Sequence, residues 1–502
     1  MDCRQTGFRR GGDGEVATTV MVTRATASRH VERRTLHRRR PAGAGRSRLV
    51  STGPIDVKTT PVDEMPEQGD AGNGCLGGVI CSSVNVNSPL ILPGKLEAME
   101  PEDRRVSKLA LMDGMERLGT ESAFVVLGRA AELERQGKDV INLGIGQPDF
   151  RTPGHIVEAA VAALRDGHHG YTPANGILPL REAVAADISA RRKVEANPDH
   201  VVIVPGGKVT MWHAILMFGA PGREIMYPNP GFPIYESAIR FTGATPVPIA
   251  LAEADGFAFD PDEVLGQITA KTRLIIVNSP ANPTGGVIPV PVLDRLAEGL
   301  ADHPHVAILS DEIYSRIVYP GSEFASMLRY SHLRDRLIML DGWSKTYAMT
   351  GWRIGYAIWP EALVEHAVRL NINSVSCTNA ATQHAAIAAL EGPQDDVDAM
   401  VTAFAERREV LIEEVKTLPG LRMIRPEGAF YAMPNVEGTG IPALELQDRL
   451  LEELHIATVA GTSFGAMGEG YIRLSYAAGV DEIRSAMKRI RELALAEGWG
   501  HH

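Results

Sequence analysis

Seven short apolar runs follow one another through the middle of the chain, at residues 201–204, 224–227, 245–249, 273–278, 306–309, 337–340 and 355–359. Helical patterns at 208–218, 232–241 and 289–300 fill gaps between them, and another at 361–370 follows the last run. The runs are rich in Val, Ile and Leu without polar alternation, so both faces of each strand need cover. Such strands, separated by helices, predict an α/β fold with a mostly parallel seven-stranded sheet.

After residue 378 the pattern changes. Two helical stretches, 378–391 and 394–418, lead to short apolar segments at 421–424 and 428–432. A helix over 443–454, a strand over 471–476 and a final helical face of Ile483, Met487, Ile490 and Leu493 complete the chain. This predicts a second, smaller α+β domain. The stretch from Met115 joins it: Leu118, Phe124, Leu127, Ala131 and Leu133 predict an apolar helical face, Gly137 a stop, and 140–143 a short strand. The expected division is a large domain over 155–395 and a small one formed by 111–154 and 396–499.

At 502 residues the chain is too long for one core. Its 44% apolar and 23% charged content is that of an ordinary soluble globular protein. The first fifty residues carry twelve Arg, no Lys and four acidic side chains, a formal +8. Taken from the total of −11, this leaves −19 for the rest, which argues against nucleic acid as the main partner. No apolar run is long enough to span a bilayer. The four cysteines, Cys3, Cys75, Cys81 and Cys377, lack zinc-like spacing with histidines, so no metal site is expected. Residues 1–110 predict a disordered or targeting-like extension. Its Arg-rich, acid-poor start also fits an organelle transit segment, or a true start at Met112 or Met115. The cytoplasm is otherwise the expected location.

The sixth run opens into Asp341-Gly-Trp-Ser-Lys-Thr-Tyr-Ala-Met-Thr-Gly-Trp-Arg-Ile-Gly-Tyr356. Lys345 sits on a small-residue turn, where a partly dry setting lowers an amine's pKa and lets it attack a carbonyl. Arg353 offers a fork for phosphate. Read alone, the two are a surface charge and a surface ion pair. Val201-Val-Ile-Val-Pro-Gly-Gly-Lys-Val-Thr210 is a strand, a glycine turn and a helix start: a phosphate cradle or a plain tight turn. Asn278-Ser-Pro-Ala-Asn-Pro-Thr-Gly-Gly286 reads as a stiffened loop. Asp311 ends a buried strand and calls for a cationic partner, unless it caps a helix or joins a loop ion pair. Arg473, in Tyr471-Ile-Arg-Leu-Ser-Tyr476, calls for a carboxylate, structural or bound.

Ser-Lys-Thr-Tyr-Ala-Met-Thr-Gly-Trp-Arg-Ile-Gly-Tyr resembles the cofactor-lysine motif of the class I/II aminotransferases, the fold-type I, aspartate aminotransferase-like enzymes that use pyridoxal phosphate (PLP). The resemblance covers residues 115–499. Trp343 and Gly342 depart from it, where the family has a smaller residue and, in some members, a phosphate-binding serine. The resemblance implies that Lys345 carries PLP as an imine and then moves the substrate α-proton. It assigns Gly207, Lys208 and Arg353 to the phosphate, together with Tyr171 from a neighbouring subunit of a homodimer. Asp311 would pair with the ring nitrogen, Asn282 and Tyr314 with the ring oxygen, and Phe232 with the ring face. Phe232 also fits a plain core aromatic. Arg473, with a backbone contact from Gly146, would bind the substrate α-carboxylate, and Lys208 the distal carboxylate of an aspartate-type substrate.

The expected activity is therefore transfer of an α-amino group from an L-amino acid to a 2-oxo acid. Alanine, branched-chain or aromatic substrates stay open, because Glu121-Ser-Ala-Phe124 differs from the aspartate subgroup. A PLP-dependent C–S lyase or cyclase would use the same lysine and aspartate. A ligand-sensing regulator would need an upstream helix-turn-helix, which residues 1–110 lack. A binding module without catalysis conflicts with the full set of Lys345, Asp311, Asn282 and Arg353.

Overall fold

A computed structural model describes residues 110–500. The expectations for residues 1–109, Cys3, Cys75 and Cys81 among them, lie outside the described residues. In chain order the strands are β1 (Ile141–Asn142), β2 (Val201–Val204), β3 (Glu224–Asn229), β4 (Thr245–Ala250), β5 (Thr272–Asn278), β6 (Ala307–Asp311), β7 (Leu337–Gly342), β8 (Gly355–Ile358), β9 (Tyr431–Ala432), β10 (Ile456–Ala457), β11 (Val459–Ala460) and β12 (Ile472–Ser475).

The expected seven-stranded sheet forms in the order β2-β8-β7-β6-β5-β3-β4. Its pairings are parallel except at β8, which runs antiparallel to both β2 and β7. Successive residues feed opposite layers. Ile203, Met226, Ile275, Ile308 and Met339 pack into one core, while Val202, Ile225, Ile276, Leu309 and Leu340 pack into the other. This two-sided burial is why the runs are continuously apolar. Helices such as Lys208–Phe218 and Val290–Leu300 supply the cover.

A further core gathers Ile141 and Leu143 with Phe404, Tyr431, Leu450, Ile472 and Met487. β1 pairs in parallel with β10, which ties the 140–143 segment to the C-terminal part of the chain. β12 lies antiparallel between β11 and β9. Segment 421–424 forms no strand: Arg422 makes an isolated bridge to Asn435. The early helical face is also shifted. Helix Ser122–Arg135 buries Val126 and Ala130 against Leu451 and Ala457, while Leu118 and Phe124 are exposed. The spacing of four between Val126 and Ala130 is the helical one, but Leu118 lies ahead of the helix and cannot share its stripe.

Active chemistry in such sheets gathers at the strands' carboxyl ends. Here that edge carries Asn278 of β5 opposite Asp311 of β6, and Gly342 of β7 opposite Gly355 of β8. Gly355 also faces Val204 at the end of β2.

Candidate active site

Lys345 lies in a single helical turn, Trp343–Thr346, directly after β7. The turn is held from behind. Trp343 is fully buried, donates from Nε1 to the Ala386 carbonyl at 3.1 Å and packs on Tyr356. The large residue that departs from the family motif therefore fills core. Lys345 Nζ donates to the Gly146 carbonyl at 2.5 Å. Burial first, then the charges of Arg473 and Arg353, lower its pKa to about 7. At neutral pH a large share of this amine is unprotonated and nucleophilic.

Asp311 is buried at the end of β6, and no cation meets it among the described residues. Its partners are Tyr235, which donates its hydroxyl at 2.6 Å, and the backbone N–H of Ile313 at 3.3 Å. Burial pushes its pKa up to about 6, against the pull of those two hydrogen bonds. The cation expected from the sequence is thus not a side chain; the carboxylate is left for a bound cation. Tyr235 was not singled out in the sequence. It lies one helical turn beyond Phe232, whose ring it meets edge-on at 5.8 Å.

Arg473 on β12 is likewise buried, with no carboxylate partner among the described residues. It donates to Asn282 Oδ1 at 3.0 Å and to the Gly144 carbonyl, and its Nε has no partner. Its guanidinium lies over the rings of Tyr431 and Phe464, at 4.6 and 4.7 Å from their centroids. The structural ion pair offered by the sequence is therefore ruled out. What is built is a dry cationic seat with a free edge.

Tyr314 and Tyr431, both buried, share a hydrogen bond of 2.8 Å between their hydroxyls. The Tyr431 hydroxyl also packs on Gly146, where a methyl group would collide with it. Tyr431 is a second site residue missed in the sequence, since nothing in Gly428-Ala-Phe-Tyr-Ala432 signals it.

The turn after β2 brings Gly206 and Gly207 to the start of helix Lys208–Phe218, so backbone N–H groups point at the same edge. Gly206 has φ +94° and lies under the Arg353 guanidinium, where any Cβ would collide. Arg353 itself has φ +55° and donates to the Thr350 carbonyl at 2.8 Å and, at 3.5 Å, to that of Pro205. A helix N-terminus and a guanidinium without an acid partner converge there, as an anion site requires. Lys208 forms an ion pair with Glu121 and lies 5.3 Å from the centre of the Phe232 ring.

Lys345, Asp311, Tyr314, Asn282, Arg473, Gly146, Gly207, Lys208, Phe232 and Arg353 thus converge around the sheet's carboxyl edge. Tyr171 does not join the site of its own chain: it is 93% exposed.

A family model described as "Aminotransferase class I and II" matches residues 138–490. The chain is 36% identical over 393 residues to a probable aspartate/prephenate aminotransferase of Aquifex aeolicus, covering 77% of this chain and 99% of that one. It is 34% identical over 388 residues to aromatic-amino-acid aminotransferase 2 of Thermococcus litoralis, covering 77% and 98%. The solved structure of Thermus thermophilus aspartate aminotransferase with maleate superimposes with a TM-score of 0.74 at 33% identity, over 77% of this chain and all of that one. The family match over most of the chain, the relatives above 30% identity covered almost end to end and the shared fold place the chain among the class I and II aminotransferases, enzymes dependent on pyridoxal phosphate.

Proposed function

We propose that this aminotransferase moves the α-amino group of an L-amino acid to a 2-oxo acid using Lys345, Asp311 and Arg473 in the roles their settings fit. One observation carries the reading: a buried lysine with a pKa of about 7 sits beside an arginine that has no acid of its own.

PLP supplies an aldehyde that joins amino groups and an electron-poor ring that spreads negative charge from the substrate Cα. The residues fit it at every end. Asp311, buried without a cation, would hold a proton at the ring nitrogen. Asn282 and Tyr314 would hold the ring oxygen, and Phe232 the ring face. The backbone N–H groups of Gly207 and Lys208 and the Arg353 guanidinium would hold the phosphate.

The chain's own residues then divide the work. Arg473 binds the α-carboxylate through the free edge of its guanidinium, which fixes the Cα–H bond relative to Lys345. Lys345 Nζ takes the Cα proton as a neutral amine. The Gly146 carbonyl that accepts from Nζ keeps the amine aimed while it waits. Tyr431 and Phe464, whose rings lie against the Arg473 guanidinium, keep water from competing for it. The expected division into a large domain (155–395) and a small one (111–154 with 396–499) is part of the proposal: Arg473 would belong to the second and Lys345 to the first, so that substrate binding would close one on the other. A homodimer is part of the proposal: a tyrosine 93% exposed in one chain is available to a neighbour's phosphate site.

Lys208 and the names of the relatives, aspartate and aspartate/prephenate aminotransferases, support dicarboxylic substrates. The test is the absorbance spectrum of the PLP-loaded protein. L-aspartate is expected to convert the aldehyde-form band to the pyridoxamine form, and Lys345→Ala to abolish the conversion. A cofactor band that no amino acid shifts overturns the reading.

A further inference from the structure

Next to Arg473, a cleft is lined by Glu121, Phe232, Val459 and Phe464. Glu121 stands immediately before helix Ser122–Arg135, at the position from which a polar side chain can accept from the helix's first N–H groups. It makes no such bond. Its carboxylate turns instead to the Lys208 ammonium. The carboxylate is largely buried, at 13% side-chain exposure, while Lys208 is 41% exposed. The ammonium also lies 5.9 Å from the centre of the Phe124 ring and 5.3 Å from that of Phe232.

The cleft is therefore lined by one cation, Arg473, and one resident carboxylate, Glu121, and a second cation, Lys208, stands against that carboxylate. Arg473 has no acid, and Lys208 has one supplied by the chain. A substrate with a single carboxylate satisfies Arg473 and leaves Lys208 neutralised, with aromatic rings beside it for an apolar side chain. A substrate with two carboxylates satisfies Arg473 and must compete with Glu121 for Lys208. Glu121 bears on the rest of the site as well: its charge favours the protonated forms of Lys345 and Arg473.

We propose that Glu121 is a specificity-determining residue, an exchangeable internal carboxylate that occupies Lys208 for uncharged substrate side chains and yields it to the distal carboxylate of dicarboxylic ones. The proposal rests on the transaminase reading above and adds that one site serves both classes. Removing the internal carboxylate tilts the balance toward dicarboxylates, because they lose a competitor while uncharged side chains meet a bare ammonium.

The test uses the PLP-loaded full chain and its Glu121→Gln variant. Two quantities are measured: the ratio of kcat/KM for L-aspartate to that for L-phenylalanine, and calorimetric dissociation constants for the unreactive probes succinate and propionate. In Glu121→Gln the ratio is expected to rise about five-fold, the size a half-exposed ion pair carries. Succinate is expected to bind tighter by a similar factor, and propionate by less than about two-fold. The double variant Glu121→Gln, Lys208→Gln is expected to lose the gain. An unchanged ratio with unchanged succinate affinity, a shift toward phenylalanine, or a gain that survives the loss of Lys208 overturns the role of Glu121. If the wild-type protein converts neither amino acid, the transaminase reading falls first, and this proposal with it.

Discussion

Lys345 shows how a site sets its own working pH. Burial disfavours the ammonium, and the guanidinium groups of Arg473 and Arg353 disfavour it further, so the amine titrates near 7 instead of above 10. The protonated form has no lone pair with which to attack an aldehyde. Uptake of PLP by the cofactor-free protein is therefore expected to slow about ten-fold per pH unit below 7 and to level off above it. Stopped-flow absorbance across pH 5–9 checks this. Arg473→Gln removes one of the opposing charges, so its profile shifts to higher pH; a profile that stays put rules out Arg473 as a cause of the shift. Lys345, Asp311 and Arg353 were legible because each sits in a short motif attached to a strand. Tyr235 was not, and Glu121 was visible only within a segment that departs from the aspartate subgroup, not as the partner of Lys208. Tyr235 meets Asp311 across 76 positions and Glu121 meets Lys208 across 87, and no local pattern records such a meeting.

Elements carry the site through a buried ion cluster. Arg192, the last residue of helix Leu178–Arg192, reaches Glu312 beyond β6 through Nε at 2.9 Å, and Asp341 in β7 through Nη2 at 2.7 Å. All three side chains are almost wholly buried. Ser326 and Ser310 donate to Glu312, and Ser315 donates to Asp341. Glu312 follows Asp311 and Asp341 lies four residues before Lys345, so the cluster fixes the strand ends that present both. Arg192→Met would strand two buried carboxylates, and the expected loss is about 3–5 kcal/mol, read by chemical denaturation. Nothing in the sequence singles Arg192 out. The strands were easier to find. Val201–Val204 stands out because four consecutive residues are buried, whereas the two-residue strands β9, β10 and β11 carry no period to detect.

At the scale of the whole molecule, the fold leaves two buried charges, on Asp311 and Arg473, for molecules that are not part of the chain. A cationic ring nitrogen held by Asp311 would compensate a carboxylate whose pKa burial pushes up to about 6 against two hydrogen bonds. Loading with PLP is therefore expected to raise Tm. At free cofactor about a hundred-fold above Kd the stabilisation is about 2.7 kcal/mol, and dialysis against a competing amine reverses it. Differential scanning calorimetry at several PLP concentrations checks this, with Asp311→Asn expected to lose much of the gain. A Tm independent of PLP counts against the assignment of Asp311.

The antiparallel β8 has one further consequence. Because it lies beside β7 and runs the opposite way, residues 343–354 leave the sheet at Gly342 and return at Gly355, two positions paired in register. Lys345 and Arg353 therefore ride on a closed excursion whose two feet are fastened together. Glu121 rides on a segment far away in the chain, outside this excursion, and its side chain meets Lys208. Under the proposal above, substitution at Glu121 would retune which amino acids the enzyme accepts while leaving the backbone that presents Lys345 and Arg353 in place. The two traits can evolve separately, and a lineage built on this scaffold can change diet while keeping its reaction.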